Sequence, residues 1–142
     1  MIKTLWAVLI GTALFSFPTA AREGIDYQNS PEVKAWYQSL KQPDNPMASC
    51  CGEADAYYCD DVHIKPDGMA YCTISDERDD IPRGRVHVDI GTEIPIPPNK
   101  LGVYPGNPTG HGVVFMSISR AVGGMIQIGP GNVYCYVQGG GV

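Results

Sequence analysis

Residues 49–63 gather three of the chain's five cysteines, four carboxylates and one of its three histidines. Three kinds of chemistry are open to such a stretch: disulfide formation, soft-metal binding and thiolate nucleophilicity. The adjacent pair Cys50-Cys51 constrains the first. A trans peptide holds their Cα atoms about 3.8 Å apart, below the roughly 4.4 Å of a relaxed disulfide, so the two thiols turn to different partners. The disulfide candidates are Cys50, Cys51, Cys59, Cys72 and Cys135. Five cysteines leave at least one outside any bridge within the monomer, and two bridges among five allow about fifteen arrangements. Linking Cys50 or Cys51 to Cys135 ties two distant segments. A bridge between Cys59 and Cys72 staples a hairpin.

For metal binding, thiolate and imidazole suit copper or zinc, and Cys59, Asp61 and His63 alternate so as to share one strand face. No C-x-x-C pair is present, and each cysteine given to a metal is lost to a disulfide. Asp76, Glu77, Asp79 and Asp80 are oxygen donors of the kind calcium takes, but they lack the EF-hand spacing and read as a solvated acidic loop. For catalysis, Cys50 or Cys51 opening a short helix over 52–58, with His87 as base and Asn99 as orienter, resembles the order of residues in cell-wall cysteine peptidases. The Asp-Cys-Ser-Gly setting of that family is missing here. No G-x-S-x-G elbow is present, and His111, between two glycines, reads as a loop histidine. The residues call for no cofactor. The expectation leans away from an enzyme, with a metal-binding protein and a cysteine hydrolase as rival readings.

The elements that position these groups follow from patterning. Ser30 can cap a helix with Pro31 in its first position and Glu32 in its first turn. Val33, Trp36, Tyr37 and Leu40 then fall on one stripe, and Pro43 ends the helix, which serves as a lid over a sheet. From Tyr57 the period becomes two: Tyr58, Val62 and Ile64 on one face, Cys59, Asp61, His63 and Lys65 on the other. Pro66-Asp67-Gly68 turns the chain, and 69–74 returns with Ala70, Cys72 and Ile74 inward. A regular hairpin of this kind puts Cys59 outside and Cys72 inside, so bridging them demands a bulge or a shifted register. Arg85, His87 and Asp89 alternate with Val86, Val88 and Ile90 as a half-buried strand. Residues 94–98 hold three prolines and belong on an edge. Further strands are expected at 113–119, 125–128 and 133–137, with Val133, Cys135 and Val137 on one face of the last.

The expected organisation is a signal peptide over 1–21, an N-terminal arm and helix over 22–46, a β-domain over 47–138 that forms one domain with the helix, and a flexible tail over 139–142. The leader reading rests on Lys3, an apolar run too short for a transmembrane span, and small residues before a cleavage point after Ala21. Its removal takes the formal charge from −5 to −6, since Lys3 is lost. Nucleic acid is therefore not an expected partner, and no transmembrane segment is expected after cleavage. The sequence leaves the partner unknown, with an envelope protein as one candidate, and the expected location is periplasmic or extracellular. The fold class is mainly β: a small antiparallel barrel or sandwich preceded by one amphipathic helix and stabilised by disulfides.

The chain also resembles a group of small, uncharacterised secreted proteins of Gram-negative bacteria. The residues that carry the likeness are Trp36-Tyr37-Gln38-Ser39-Leu40, Ser49-Cys50-Cys51 with Ala54-Asp55, Ile96-Pro97-Pro98, Asn107-Pro108-Thr109-Gly110 and Cys135-Tyr136-Val137. The group often has a further cysteine just after the Ala-Asp pair, where this chain has Ala56. The resemblance implies secretion and a shared fold, and no activity.

Overall fold

A computed structural model describes residues 30–81, 84–120 and 123–140. The expected leader, the arm through residue 29 and the last two residues of the expected tail lie outside the described residues. Helix α1 (Pro31–Ser39) starts where the local signals place it, with Pro31 in the first turn and the Ser30 hydroxyl accepting from the Val33 N–H at 3.3 Å. It stops at Leu40, whose backbone is extended.

The strands follow as β1 (Lys41–Gln42), β2 (Asn45–Ser49), β3 (Asp55–Ile64), β4 (Ala70–Ile74), β5 (Glu93–Ile96), β6 (Leu101–Gly102), β7 (Val113–Met116), β8 (Ser119–Arg120), β9 (Ile126–Gln127) and β10 (Val133–Val137). The main sheet has the order β5-β4-β3-β7-β10-β6, while β1-β2 and β8-β9 form two-stranded ribbons. Only β6 against β10 is parallel within the main sheet. Its two edge strands, β5 and β6, are joined by residues 97–100 alone. Six flat strands would set those edges about 24 Å apart. Four linking residues reach about 17 Å at full extension, and here they include a 3-10 turn. The sheet must therefore curl, giving the nearly closed barrel that the composition of short, Gly- and Pro-bounded strands leads one to expect. Pro95 sits in β5 at the edge, where its missing N–H costs no ladder bond to an outer neighbour.

Two apolar layers result. Tyr57, Cys59, Ile74, Val114, Met116 and Tyr136 pack inside the barrel. Val113, Phe115, Cys135 and Val137 face outward and are covered by Tyr37 and Leu40 of the helix with Cys50 and Cys51. Strand β7 thus buries all four of its residues, alternating between the layers. Tyr37 meets Phe115 edge-on, with centroids 5.5 Å apart. The helix is a lid on the sheet, as its stripe implies.

Several local readings are corrected. Residues 52–58 do not form a helix, since β3 already begins at Asp55. The expected faces of β3 are reversed: Cys59 is fully buried, whereas Val62 and Ile64 are exposed. A bulge causes this. Asp60 pairs with Thr73 and His63 with Tyr71, leaving Asp61 and Val62 opposite Cys72 alone, with Asp61 at φ 54°. The extra residue brings Cys59 onto the inward face that Cys72 occupies. In β10 a second irregularity at Tyr134 turns Val133 into the barrel while Cys135 and Val137 face the helix, so the three do not share a face. Residues 85–90 make no strand. They form an irregular strap that buries Arg85 and Val88 and leaves His87, Asp89 and Ile90 exposed.

Candidate functional site

The sulfur chemistry is settled by the two layers. Cys50 is bonded to Cys135 under the helix, with Cα atoms 5.6 Å apart, and Cys59 to Cys72 inside the barrel, at 5.5 Å. Cys51 belongs to neither bridge. Its thiol is buried and donates toward the Tyr37 carbonyl at 3.1 Å, beside the end of α1. Disulfides of this kind fit an oxidising environment outside the cytoplasm. No helix among the described residues is long and apolar enough to cross a membrane.

The metal set foreseen on β3 is not brought together. Cys59 is spent in its bridge on the inner face. Asp61 is exposed at the bulge, and the His63 ring sits 3.2 Å from the Asp61 carbonyl through Nδ1 and 2.9 Å from Glu93 through Nε2. Lys65 donates to the other oxygen of Glu93 at 2.6 Å. Among the described residues, no group of three or more His, Cys, Asp or Glu is gathered as a metal ion needs. The members of the hydrolase set each have other partners: Cys50 is bridged, Cys51 is buried against the Tyr37 carbonyl, His87 lies between Asp80 and Asp89, and Asn99 donates to Asp44 at 3.0 Å.

What the structure does assemble is a polar cluster on the first half of β3, where no strand lies on the β4 side. The ladder with β4 begins only at Cys59. Residues 55–58 pair with β7 on one side; on the other, the Ser75 N–H bonds the Tyr58 carbonyl at 3.1 Å and side chains supply further bonds. The Asp76 carboxylate accepts the Tyr58 N–H at 3.0 Å, and the Ala56 carbonyl receives Arg85 at 2.8 Å and Arg78 at 3.3 Å. Both guanidiniums also hold Asp76, at 2.7 and 2.6 Å, and Arg85 pairs with Asp80. Burial alone would raise the Asp76 carboxyl, but the hydrogen bonds from Arg78, Arg85 and the Tyr58 amide outweigh it and hold the group well below the usual carboxylate range. The loop read as solvated and acidic is therefore solvated only in part. Glu77 and Asp79 are exposed, while Asp76 is buried and its charge is matched by arginine rather than calcium. No comparison with known family models, curated proteins or solved structures returns a match.

Next to this cluster, Asp60 ties three segments together. It accepts from the Ser75 hydroxyl at 2.6 Å and the Gly112 N–H at 2.7 Å, and meets His111 Nδ1 at 2.9 Å. Burial works to raise this carboxyl, yet these partners lower it on balance. The Tyr58 ring stacks on His111 at 4.3 Å and carries the Arg78 guanidinium at 3.6 Å. A carboxylate on Nδ1 is how a histidine is oriented for proton transfer or metal ligation through Nε2; His111 has this through Asp60, and His87 has it through Asp80 but with its Nε2 against Asp89. Sequence reading missed these groups for a definable reason: Asp76 and Arg85 are nine residues apart in irregular backbone, and no periodicity marks either as buried. The one available signal was the mixture of arginines with the acids of that loop.

Proposed function

We propose that this chain is a secreted, periplasmic or extracellular β-domain that acts as a non-enzymatic binding or envelope-associated module. The observation that carries the reading is a pair of exposed apolar side chains on a braced surface. Met47 on β2 and Val103 just after β6 are 91% and 98% exposed. Their segments are laced together: Lys100 and Asn99 hold Asp44 at 2.7 and 3.0 Å, and the Tyr104 hydroxyl donates to the Lys41 carbonyl at 2.5 Å. Apolar side chains left in water on two segments held together in this way are open to a partner, while four of the five cysteines are taken up in holding the fold. The likeness to small secreted proteins of Gram-negative bacteria supports the same location, as does the leader pattern.

The test is photo-crosslinking in secreting cells. A photoreactive residue at position 47 or 103 is expected to give one discrete adduct with an envelope component, and the same residue at exposed position 53 none. Absence of an adduct at both 47 and 103, with protein present outside the cytoplasm, contradicts the proposal.

A further inference from the structure

The sulfur left open to water is thioether. Four cysteines are bridged, and the fifth, Cys51, is buried with its thiol on the Tyr37 carbonyl. Of the methionines among the described residues, Met116 is wholly buried in the barrel core and Met69 half-buried, whereas Met125 is 70% and Met47 91% exposed. Met47 differs from Met125 in its setting. In the β1-β2 ribbon Lys41 faces Ser49 and Gln42 faces Asn45, so residues 46–48 stand opposite nothing on β1 and form an arch, with Pro46 and Met47 exposed. The feet of the arch are fixed: the Cys50 N–H donates to the Leu40 carbonyl at 3.1 Å, and the Gln42 side-chain amide to the Ser49 carbonyl at 3.1 Å. The Met47 N–H donates to the Asn45 side chain at 3.3 Å. The backbone is thus held in place while the thioether stands in water.

We propose that Met47 is a reversible oxidation site and, resting on the recognition role given to the Met47 and Val103 surface, that its sulfoxide closes that surface to the partner. The oxidant is hydrogen peroxide. The Met47 sulfur gives an electron pair to one peroxide oxygen, the O–O bond breaks as the S–O bond forms, and the other oxygen leaves as water with both protons. Sulfur is oxidised by two electrons and the peroxide reduced by two. A sulfoxide reductase drawing on a dithiol reverses the step, giving thioether, disulfide and water. An apolar side chain has meanwhile become polar, and a partner that takes the thioether must desolvate a sulfoxide dipole, which weakens the contact. Because Met47 packs against so little of its own chain, the fold keeps its stability through the change, whereas an oxygen on Met116 would enter the barrel core.

The test uses purified, disulfide-bonded protein carrying the photoreactive residue at position 103. It is treated with hydrogen peroxide, freed of oxidant, mapped by peptide mass and crosslinked to isolated envelopes. Met47 and Met125 should become sulfoxide while Met116 stays reduced, and the adduct should fall several-fold and return after treatment with a sulfoxide reductase. The fall should persist in Met125→Leu and be absent in Met47→Leu, each compared with the same variant untreated. Met47 no more oxidised than Met116, an adduct unchanged by complete oxidation of Met47, or a fall that disappears in Met125→Leu overturns the proposal and leaves the recognition reading standing. No adduct from the untreated protein removes that reading, and the closing effect with it, whatever the oxidation map.

Discussion

At Asp76 a single carboxylate takes the place of a strand. It accepts the Tyr58 amide and neutralises two guanidiniums, with only 1% of its side chain exposed. Removing one member of a buried pair leaves the other charge without its counterpart, at about 3–5 kcal/mol. Asp76→Ala should therefore lose stability by about that amount in urea unfolding, and a loss under about 1 kcal/mol would show that the cluster is peripheral. The pH dependence has a definite sign. Asp76 and Asp60 are both lowered in the folded state, so their contribution is present above the unfolded value of about 3.9 and is lost as pH falls toward the folded values. Stability should decline steeply below about pH 4 in the parent and less steeply in Asp76→Asn.

Among the elements, the approach of the 105–112 loop to β3 leaves no room for a side chain at its end. A Cβ on Gly112 would lie 2.3 Å from the Cys59 carbonyl oxygen and 2.4 Å from the Tyr136 hydroxyl, whereas one on Gly131 meets nothing within 4 Å. Gly112→Ala should cost about 1–3 kcal/mol as an overpacked site, and Gly131→Ala should stay within about 0.5 kcal/mol, both read by thermal unfolding. Equal effects would refute the close packing of β3, β7 and β10 described above. The helix was legible in the sequence because its signals are local: Ser30, Pro31 and the Val33, Trp36, Tyr37 and Leu40 stripe sit within a few turns. The edge position of β5 was legible from its prolines. The face of Cys59 was not, because a bulge at Asp61 and Val62 depends on the partner strand. Arg85 to Ile90 alternates as a strand does, but period two also describes a strap whose arginine is drawn inward by Asp76.

For the whole molecule, two cross-links divide the labour between the layers. The Cys50–Cys135 bridge spans 85 residues and pins the helix exit to β10, while the Cys59–Cys72 bridge spans 13 and closes one hairpin inside the barrel. On loop entropy the first restricts the unfolded chain by about 4.5 kcal/mol and the second by about 3 kcal/mol. A small domain of short strands with a modest core benefits from both, and thiol chemistry is correspondingly confined to Cys51. Alkylation of the denatured, unreduced protein followed by peptide mass mapping should place one label on Cys51 and recover Cys50 linked to Cys135 and Cys59 linked to Cys72. A label on any of those four, or a bridge to Cys51, would contradict the two-layer fold described here.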